Sequence, residues 1–223
     1  LKTKTNAVAK VWTYSYDAVG NLSRKIDAVG SQVDYTYDGN NRLLTVLYPN
    51  STSVALVYDA NGNRTQMTDS VGVSNYTFDE LNRLTNYVDA YGKTVGYEYD
   101  PASNRTALIY PDGKRVTYTF DGANRMTNVA DWASRNTVYT YDQASILSGQ
   151  TNANGTTVAY SYDNAGRLIT MSNKKSDLSV ISTYAFTLDQ VGNRTNITQT
   201  EPLTAGANAA NTAYTYNGAN QIQ

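Results

Sequence analysis

One phrase, written ten times at a spacing near 21 residues, constrains this chain more than any other feature. Its clearest copy is Tyr35-Thr36-Tyr37-Asp38-Gly39-Asn40-Asn41-Arg42-Leu43. With the second aromatic as position 0, the copies fall at Tyr16, Tyr37, Tyr58, Phe78, Tyr99, Phe120, Tyr141, Tyr162, Leu188 and Tyr216. Successive intervals are 21, 21, 20, 21, 21, 21, 21, 26 and 28 residues. A fixed period of this length means tandem supersecondary units, each packing on the next, in place of one deep core.

The local chemistry of the phrase names the unit. Position −2 is again aromatic or apolar, and the residue between is mostly Thr or Ser. Side chains of a strand alternate between faces, so the two aromatics share one face and the hydroxyl residue lies on the other. Aromatic and β-branched residues at period two predict a strand. Position +1 is Asp in nine copies, with Asn217 the exception, and position +4 is Gly or Asn in eight of ten. Asp accepts a backbone N–H two residues on, while Gly and Asn tolerate a left-handed backbone. Return strands such as Leu43–Leu47 and Leu84–Val88 follow, and a second turn, as at Asp27-Ala28-Val29-Gly30, leads to the next copy. Each repeat is therefore a β-hairpin. The residues that define it are Tyr16 and Asp17, Tyr37 and Asp38, Tyr58 and Asp59, Tyr99 and Asp100, Tyr141 and Asp142, and Tyr162 and Asp163.

Residues 1–223 read as a single all-β array of about ten repeats, broken off mid-repeat at both ends. Exposed strand edges in such an array call for caps, so the expectation is a piece of a longer chain or self-association through the open edges. The two long intervals place extra residues near Asn173–Asp177 and Glu201–Asn208, expected as irregular surface loops over 173–183 and 199–213. Twisted sheets of more than about ten strands curl or split. The expected architecture is a curled or spiralling antiparallel sheet, a shell segment. A β-propeller is the alternative, since two repeats make a blade of four strands. No alternation between odd and even repeats is apparent to mark such blades.

Composition removes whole classes of function. Neither Cys nor His occurs, which excludes disulfides, thiol catalysis, Cys/His zinc sites and histidine general-base chemistry. Net charge is −1, and the residues interleaved with the aromatics are Thr and Ser, so nucleic acid is not an expected partner. No apolar run is long enough to insert this stretch into a membrane as a helix.

At this spacing, the phrase Tyr-x-Tyr-Asp-x-x-Gly/Asn, followed within two residues by Arg and then Leu or Thr, resembles the YD repeat of the Rhs family. That family includes bacterial Rhs and wall-associated proteins, the C subunits of insecticidal toxin complexes, and teneurins. The resemblance runs from Tyr14 to Ile222. It implies β-hairpins winding into a hollow shell, in a secreted or surface-borne protein, as a non-enzymatic scaffold that encloses or displays another domain. In many bacterial members that domain is a C-terminal toxin released by self-cleavage at an Asp-rich motif. Here Asp100-Pro101 continues as Ala102-Ser103-Asn104, an ordinary repeat, so no cleavage aspartate is assigned.

Other chemistry is weighed against the repeat. Tyrosine ladders resemble glycan platforms, which makes an adhesion or carbohydrate-binding module the alternative function. Tyrosines present in every repeat point instead to stacking between neighbours. The pairs Asp38/Arg42, Asp79/Arg83, Asp121/Arg125 and Asp163/Arg167 recur too evenly for one active site. Asp59-Ala60-Asn61-Gly62-Asn63 starts like a calcium loop but lacks a distal Glu. No catalytic residue, cofactor or metal ligand is expected.

Overall fold

The computed structural model describes residues 2–5, 10–201 and 210–222. The chain divides into two compact units, residues 1–98 with 108–113 and residues 99–107 with 114–223. Among the described residues every regular element is a strand.

The first unit carries β1 (Thr3–Thr5), β2 (Val11–Tyr16), β3 (Leu22–Ile26), β4 (Gln32–Tyr37), β5 (Leu43–Leu47), β6 (Ser53–Tyr58), β7 (Arg64–Thr68), β8 (Val73–Phe78), β9 (Leu84–Val88) and most of β10 (Thr94–Tyr99). Strand β11 (Arg105–Ile109) is divided between the units. The second unit continues with β12 (Arg115–Phe120), β13 (Met126–Ala130), β14 (Asn136–Tyr141), β15 (Leu147–Thr151), β16 (Thr157–Tyr162), β17 (Leu168–Lys174), β18 (Val180–Leu188), β19 (Arg194–Thr200) and β20 (Ala210–Ala213). Within each unit, every strand pairs antiparallel with the next one in the chain, as in β4–β5, β5–β6 and β6–β7. Pairing does not break after every fourth strand, so neither unit is assembled from propeller blades. The alternative architecture is set aside, and tandem hairpins in an open sheet are what the chain forms.

The turn residues explain why each strand stops. In the hairpin at Tyr37, the Asp38 N–H donates to the Arg42 carbonyl and the Asn41 N–H to the Asp38 carbonyl. This is a type I turn closed by a left-handed residue, a favoured three-residue hairpin loop. All ten +4 residues have positive φ, including Ser103 at 68° and Ser145 at 64°. The connecting turns repeat the plan, as in Asp27–Ser31, where the Gly30 N–H donates to the Asp27 carbonyl. The interval of 20 residues is absorbed at Asp69–Gly72, where the Asp69 N–H reaches the Gly72 carbonyl one residue early.

The hairpin at Tyr37 also contains a bulge. Thr36 pairs with Thr45 but Tyr37 pairs with Leu43, leaving Leu44 as the extra residue. The same shift recurs in the hairpins at Tyr16, Tyr58, Phe78, Phe120, Tyr141, Tyr162 and Leu188. Because of it, Tyr37 faces Leu43 and Tyr35 faces Val46, three residues apart on the return strand instead of two. Four bulge threonines cover the resulting gap: Thr65, Thr85, Thr127 and Thr195 donate their hydroxyls to the carbonyls of Val57, Thr77, Thr119 and Thr187.

Burial follows from this layering. Tyr35 and Tyr37 are half-buried while Thr36 between them is exposed, and Tyr139, Thr140 and Tyr141 repeat the pattern. Among the described residues only Val46 and Ala107 are buried apolar side chains, and no large side chain is fully enclosed. Packing energy is thus distributed along the strands, in cross-strand pairs such as Tyr76 and Tyr87, whose rings lie 5.1 Å apart.

The expected loop over 173–183 is replaced by strand. The interval of 26 residues lengthens β17 to 7 residues and β18 to 9, joined by the usual turn at Lys175–Ser179. Added residues on both sides of a hairpin keep pairing, from Thr170–Ala185 out to Asn173–Ser182, and this satisfies backbone groups that a loop would leave to solvent. The second expected loop, over 199–213, lies largely outside the described residues; its flanks are the end of β19 and strand β20.

Candidate functional site

The recurrent polar constellation sits where each hairpin turn meets the turn of the next repeat. It is built from the position 0 tyrosine, the +1 aspartate and the +5 side chain.

The aspartate closes its own turn. Asp38 Oδ1 accepts the N–H groups of Asn40 and Arg42, both at 2.9 Å, and Oδ2 accepts Arg42 Nε at 2.7 Å. Asp163 does the same with Ala165 and Arg167. In other repeats an asparagine takes the place of the arginine: Asp17 binds Asn21, Asp59 binds Asn63 and Asp100 binds Asn104, each through backbone N–H and side-chain amide. Asp142 accepts the Ile146 N–H. The backbone N–H of Arg42 holds the Asp38 carboxyl below its ordinary range despite desolvation, and the guanidinium adds to the effect. Asp163 is lowered in the same way by Arg167, and Asp59 chiefly by the side-chain amide of Asn63. For Asp17, desolvation is the largest influence and acts upward, but the bonds from Asn21, Val19 and Gly20 together outweigh it.

The tyrosine reaches backward. Tyr37 Oη donates to the Leu22 carbonyl at 3.0 Å, Tyr58 to Leu43 at 2.9 Å, Tyr141 to Met126 at 2.8 Å and Tyr162 to Leu147 at 2.8 Å. Tyr216 repeats the contact with the Arg194 carbonyl. Burial pushes the Tyr37 and Tyr162 hydroxyls upward, which keeps them protonated and donating. Tyr16 is 42 % exposed, and Tyr99 occupies the equivalent end of β10.

The +5 residue reaches forward. Arg42 Nη1 donates to the Asp59 carbonyl at 3.1 Å, and its Cζ lies 4.7 Å from the centre of the Tyr58 ring. Arg167 donates to the Asp189 carbonyl at 2.9 Å, and Arg125 stacks on Tyr141 at 4.7 Å. Position +6 arginines use the other aromatic: Arg64 lies over Tyr76 and Arg105 over Tyr118. Asn21 and Asn63 instead donate their amides to Asn41 and Asn82 in the following turns.

Tyr16, Tyr37, Tyr58, Tyr99, Tyr141 and Tyr162 end strands β2, β4, β6, β10, β14 and β16, and the aspartate after each opens the turn. The sequence reading missed two features. The first is the forward reach of the +5 side chains, whose signal is an alternation that does exist: Gly20-Asn21, Asn41-Arg42, Gly62-Asn63, Asn82-Arg83, Ser103-Asn104, Asn124-Arg125. The second is the bulge, signalled by apolar residues at +6 and +9, as in Leu43 and Val46, in a strand that would otherwise alternate. Among the described residues no three acidic side chains gather as a metal site. The would-be calcium loop has Asp59 already bonded through both oxygens to Asn63.

Comparison with known proteins agrees with this geometry. The family described as RHS Repeat matches residues 16–53, 37–74, 58–94, 78–115, 99–135 and 141–175, more than half of the chain. No curated protein matches the sequence. Among solved structures, the crystal structure of TcdB2-TccC3 superposes with a TM-score of 0.80 at 17% identity, covering 99% of this chain and 13% of that one. A mutant Tc holotoxin pore of Photorhabdus luminescens gives 0.80 at 17% identity, with the same coverage of 99% and 13%. TcdB2-TccC3 without its hypervariable C-terminal region gives 0.64 at 14% identity, covering 99% and 16%. At these identities the likeness is one of fold, and this chain spans about 13–16% of the length of those chains.

Proposed function

The chain belongs to the RHS-repeat family, and from that premise we propose that it is a non-enzymatic scaffold segment of a longer secreted or surface-borne protein, forming part of a shell around an enclosed domain. The observation that carries this reading is the uniform use of the polar groups. In repeat after repeat the carboxylate is saturated by its own turn and the tyrosine hydroxyl by the preceding repeat. Groups spent in this way hold neighbouring hairpins together, and none is paired as a nucleophile with a base. The mechanism is steric: a sheet whose backbone groups bond within itself separates what lies on its two sides.

The same bookkeeping of contacts supports scaffold over glycan binding. A sugar platform needs free aromatic faces in one place, whereas the rings of Tyr58, Tyr76, Tyr118 and Tyr141 are each covered by an arginine.

The experiment is the intact mass of the natural polypeptide that contains this stretch, measured with any co-purifying C-terminal fragment. A chain several times longer, retaining a cleaved C-terminal piece without a covalent link, is the expected result. A mature polypeptide close to 24.4 kDa would overturn the shell reading, because ten hairpins cannot surround a cargo alone.

A further inference from the structure

The turns differ from one another at +4 and +5, and the differences are matched across every junction. Where +5 is Asn, the +4 residue of the next repeat is Asn: Asn21 with Asn41, Asn63 with Asn82, Asn104 with Asn124, Asn193 with Asn220. Where +5 is Arg or Ile, the next +4 residue is Gly or Ser: Arg42 with Gly62, Arg83 with Ser103, Arg125 with Ser145, Ile146 with Gly166, Arg167 with Gly192. All nine junctions obey the rule. Backbone conformation does not impose it, because Gly62, Asn82 and Ser145 all take positive φ, at 92°, 61° and 64°.

Volume and hydrogen bonding do impose it. The asparagine at +5 is short; its amide bonds back to its own aspartate and forward to the Oδ1 of the next asparagine, which fills the remaining space. These forward bonds are 2.9 Å from Asn21 to Asn41, 2.7 Å from Asn63 to Asn82, 2.9 Å from Asn104 to Asn124 and 3.0 Å from Asn193 to Asn220. Arginine at +5 occupies that space itself. A Cβ on Gly62 would stand 3.8 Å from Arg42 Nη1, and one on Gly192 would stand 3.7 Å from Arg167 Cδ. A Cβ alone fits at these distances, but the rest of an asparagine side chain would enter the guanidinium's volume. At Gly166 the fit is tighter still, with Ile146 Cδ1 3.2 Å from the Cβ position. Serine ends at its hydroxyl, and Ser145 Oγ accepts Arg125 Nη1 at 3.1 Å.

We propose that the +5 residue and the following +4 residue form a matching code that decides which hairpin can dock after which. Its role is to hold near-identical repeats in order. Tandem arrays are prone to misassembly between similar units. Across the first six repeats the code alternates, so a slip of one repeat mismatches each junction it moves. The inference is independent of what the array encloses, and its test does not depend on the shell reading.

The test exchanges one junction type for the other in this chain, with denaturant unfolding and amide exchange as readouts. Asn82→Gly is compatible with φ of 61° and removes only the acceptor. With Asn82 present, Asn63→Arg is expected to lower the folding equilibrium constant of the repeats around it by about tenfold. In the Asn82→Gly background the same exchange is expected to raise it or leave it unchanged, so that the penalty disappears. An effect of Asn63→Arg that is the same in both backgrounds overturns the code. If Asn63→Arg alone does not fold, the paired variant must still fold, and its failure also overturns the proposal. The reciprocal pair completes the test: Gly62→Asn is harmful beside Arg42 and is rescued by Arg42→Asn, and absence of rescue counts against the code.

Discussion

The hydroxyl of Tyr141 donates at 2.8 Å to the backbone carbonyl of Met126, 15 residues earlier in the preceding repeat. The bond joins two turns that share no strand hydrogen bonds at that point, and Tyr37, Tyr58 and Tyr162 repeat it at the same separation of 15 residues. It gives a reason for tyrosine over phenylalanine at position 0. Tyr141→Phe is expected to cost about 1 kcal/mol, the net value of one hydrogen bond. Phe78→Tyr places a hydroxyl in the equivalent position and is expected to be neutral or mildly stabilising. Paired unfolding curves of the two variants check both signs.

Acid should weaken the array through the turn carboxylates. Asp38 and Asp163 have folded-state pKa values below those of the unfolded chain, held down by the N–H groups of Arg42 and Arg167. A depressed carboxylate contributes stability that is fully present above the unfolded value of about 3.9 and is lost as pH falls through the folded value. Thermal stability is thus expected to be flat from about pH 8 down to pH 5 and to fall below about pH 4. Asn217 already holds the same turn without a charge, accepting the N–H groups of Ala219 and Gln221. Asp163→Asn should therefore fold and show a shallower loss in acid, measured as melting temperature against pH.

Leu178 has φ of 68° and is 68% exposed, so its side chain gains little from burial in a conformation that disfavours it. Leu178→Gly is expected to stabilise the β17–β18 hairpin by about 1 kcal/mol, from the usual penalty of a left-handed non-glycine residue. Slower amide exchange in Leu168–Lys174 and Val180–Leu188 would register the gain.

The hydroxyl at the bulge is separable from the bulge itself. Thr85 donates to the Thr77 carbonyl at 3.0 Å, yet Leu44 and Ile169 occupy the same position in other hairpins. Thr85→Val should keep the pairing of Phe78 with Leu84 and lower stability by about 0.5–1 kcal/mol. Cross-strand nuclear Overhauser contacts and a chemical melt distinguish the two effects.

Much of the fold was legible because the hairpin is a local object. Tyr35 to Leu43 contain the strand period, the Asx turn and the left-handed residue, all set by contacts within a few residues. The loop expected over 173–183 was misread because length alone does not say whether extra residues pair. They fall on both sides of Lys175–Ser179, and paired insertions extend a ladder. The bulge was missed because a strand pattern presumes period two, and one extra residue such as Leu44 shifts the faces without changing composition.

The unit, its turns and its count are written in the order of the residues, because each rests on the conformational preferences of neighbours. How one unit recognises the next is settled in the folded array. Tyr141 finds Met126, Arg42 finds Asp59 and Asn63 finds Asn82 at separations of 15, 17 and 19 residues. Those partners are set by bulge, register and the space left beside a turn, which come into being only when two hairpins are laid side by side.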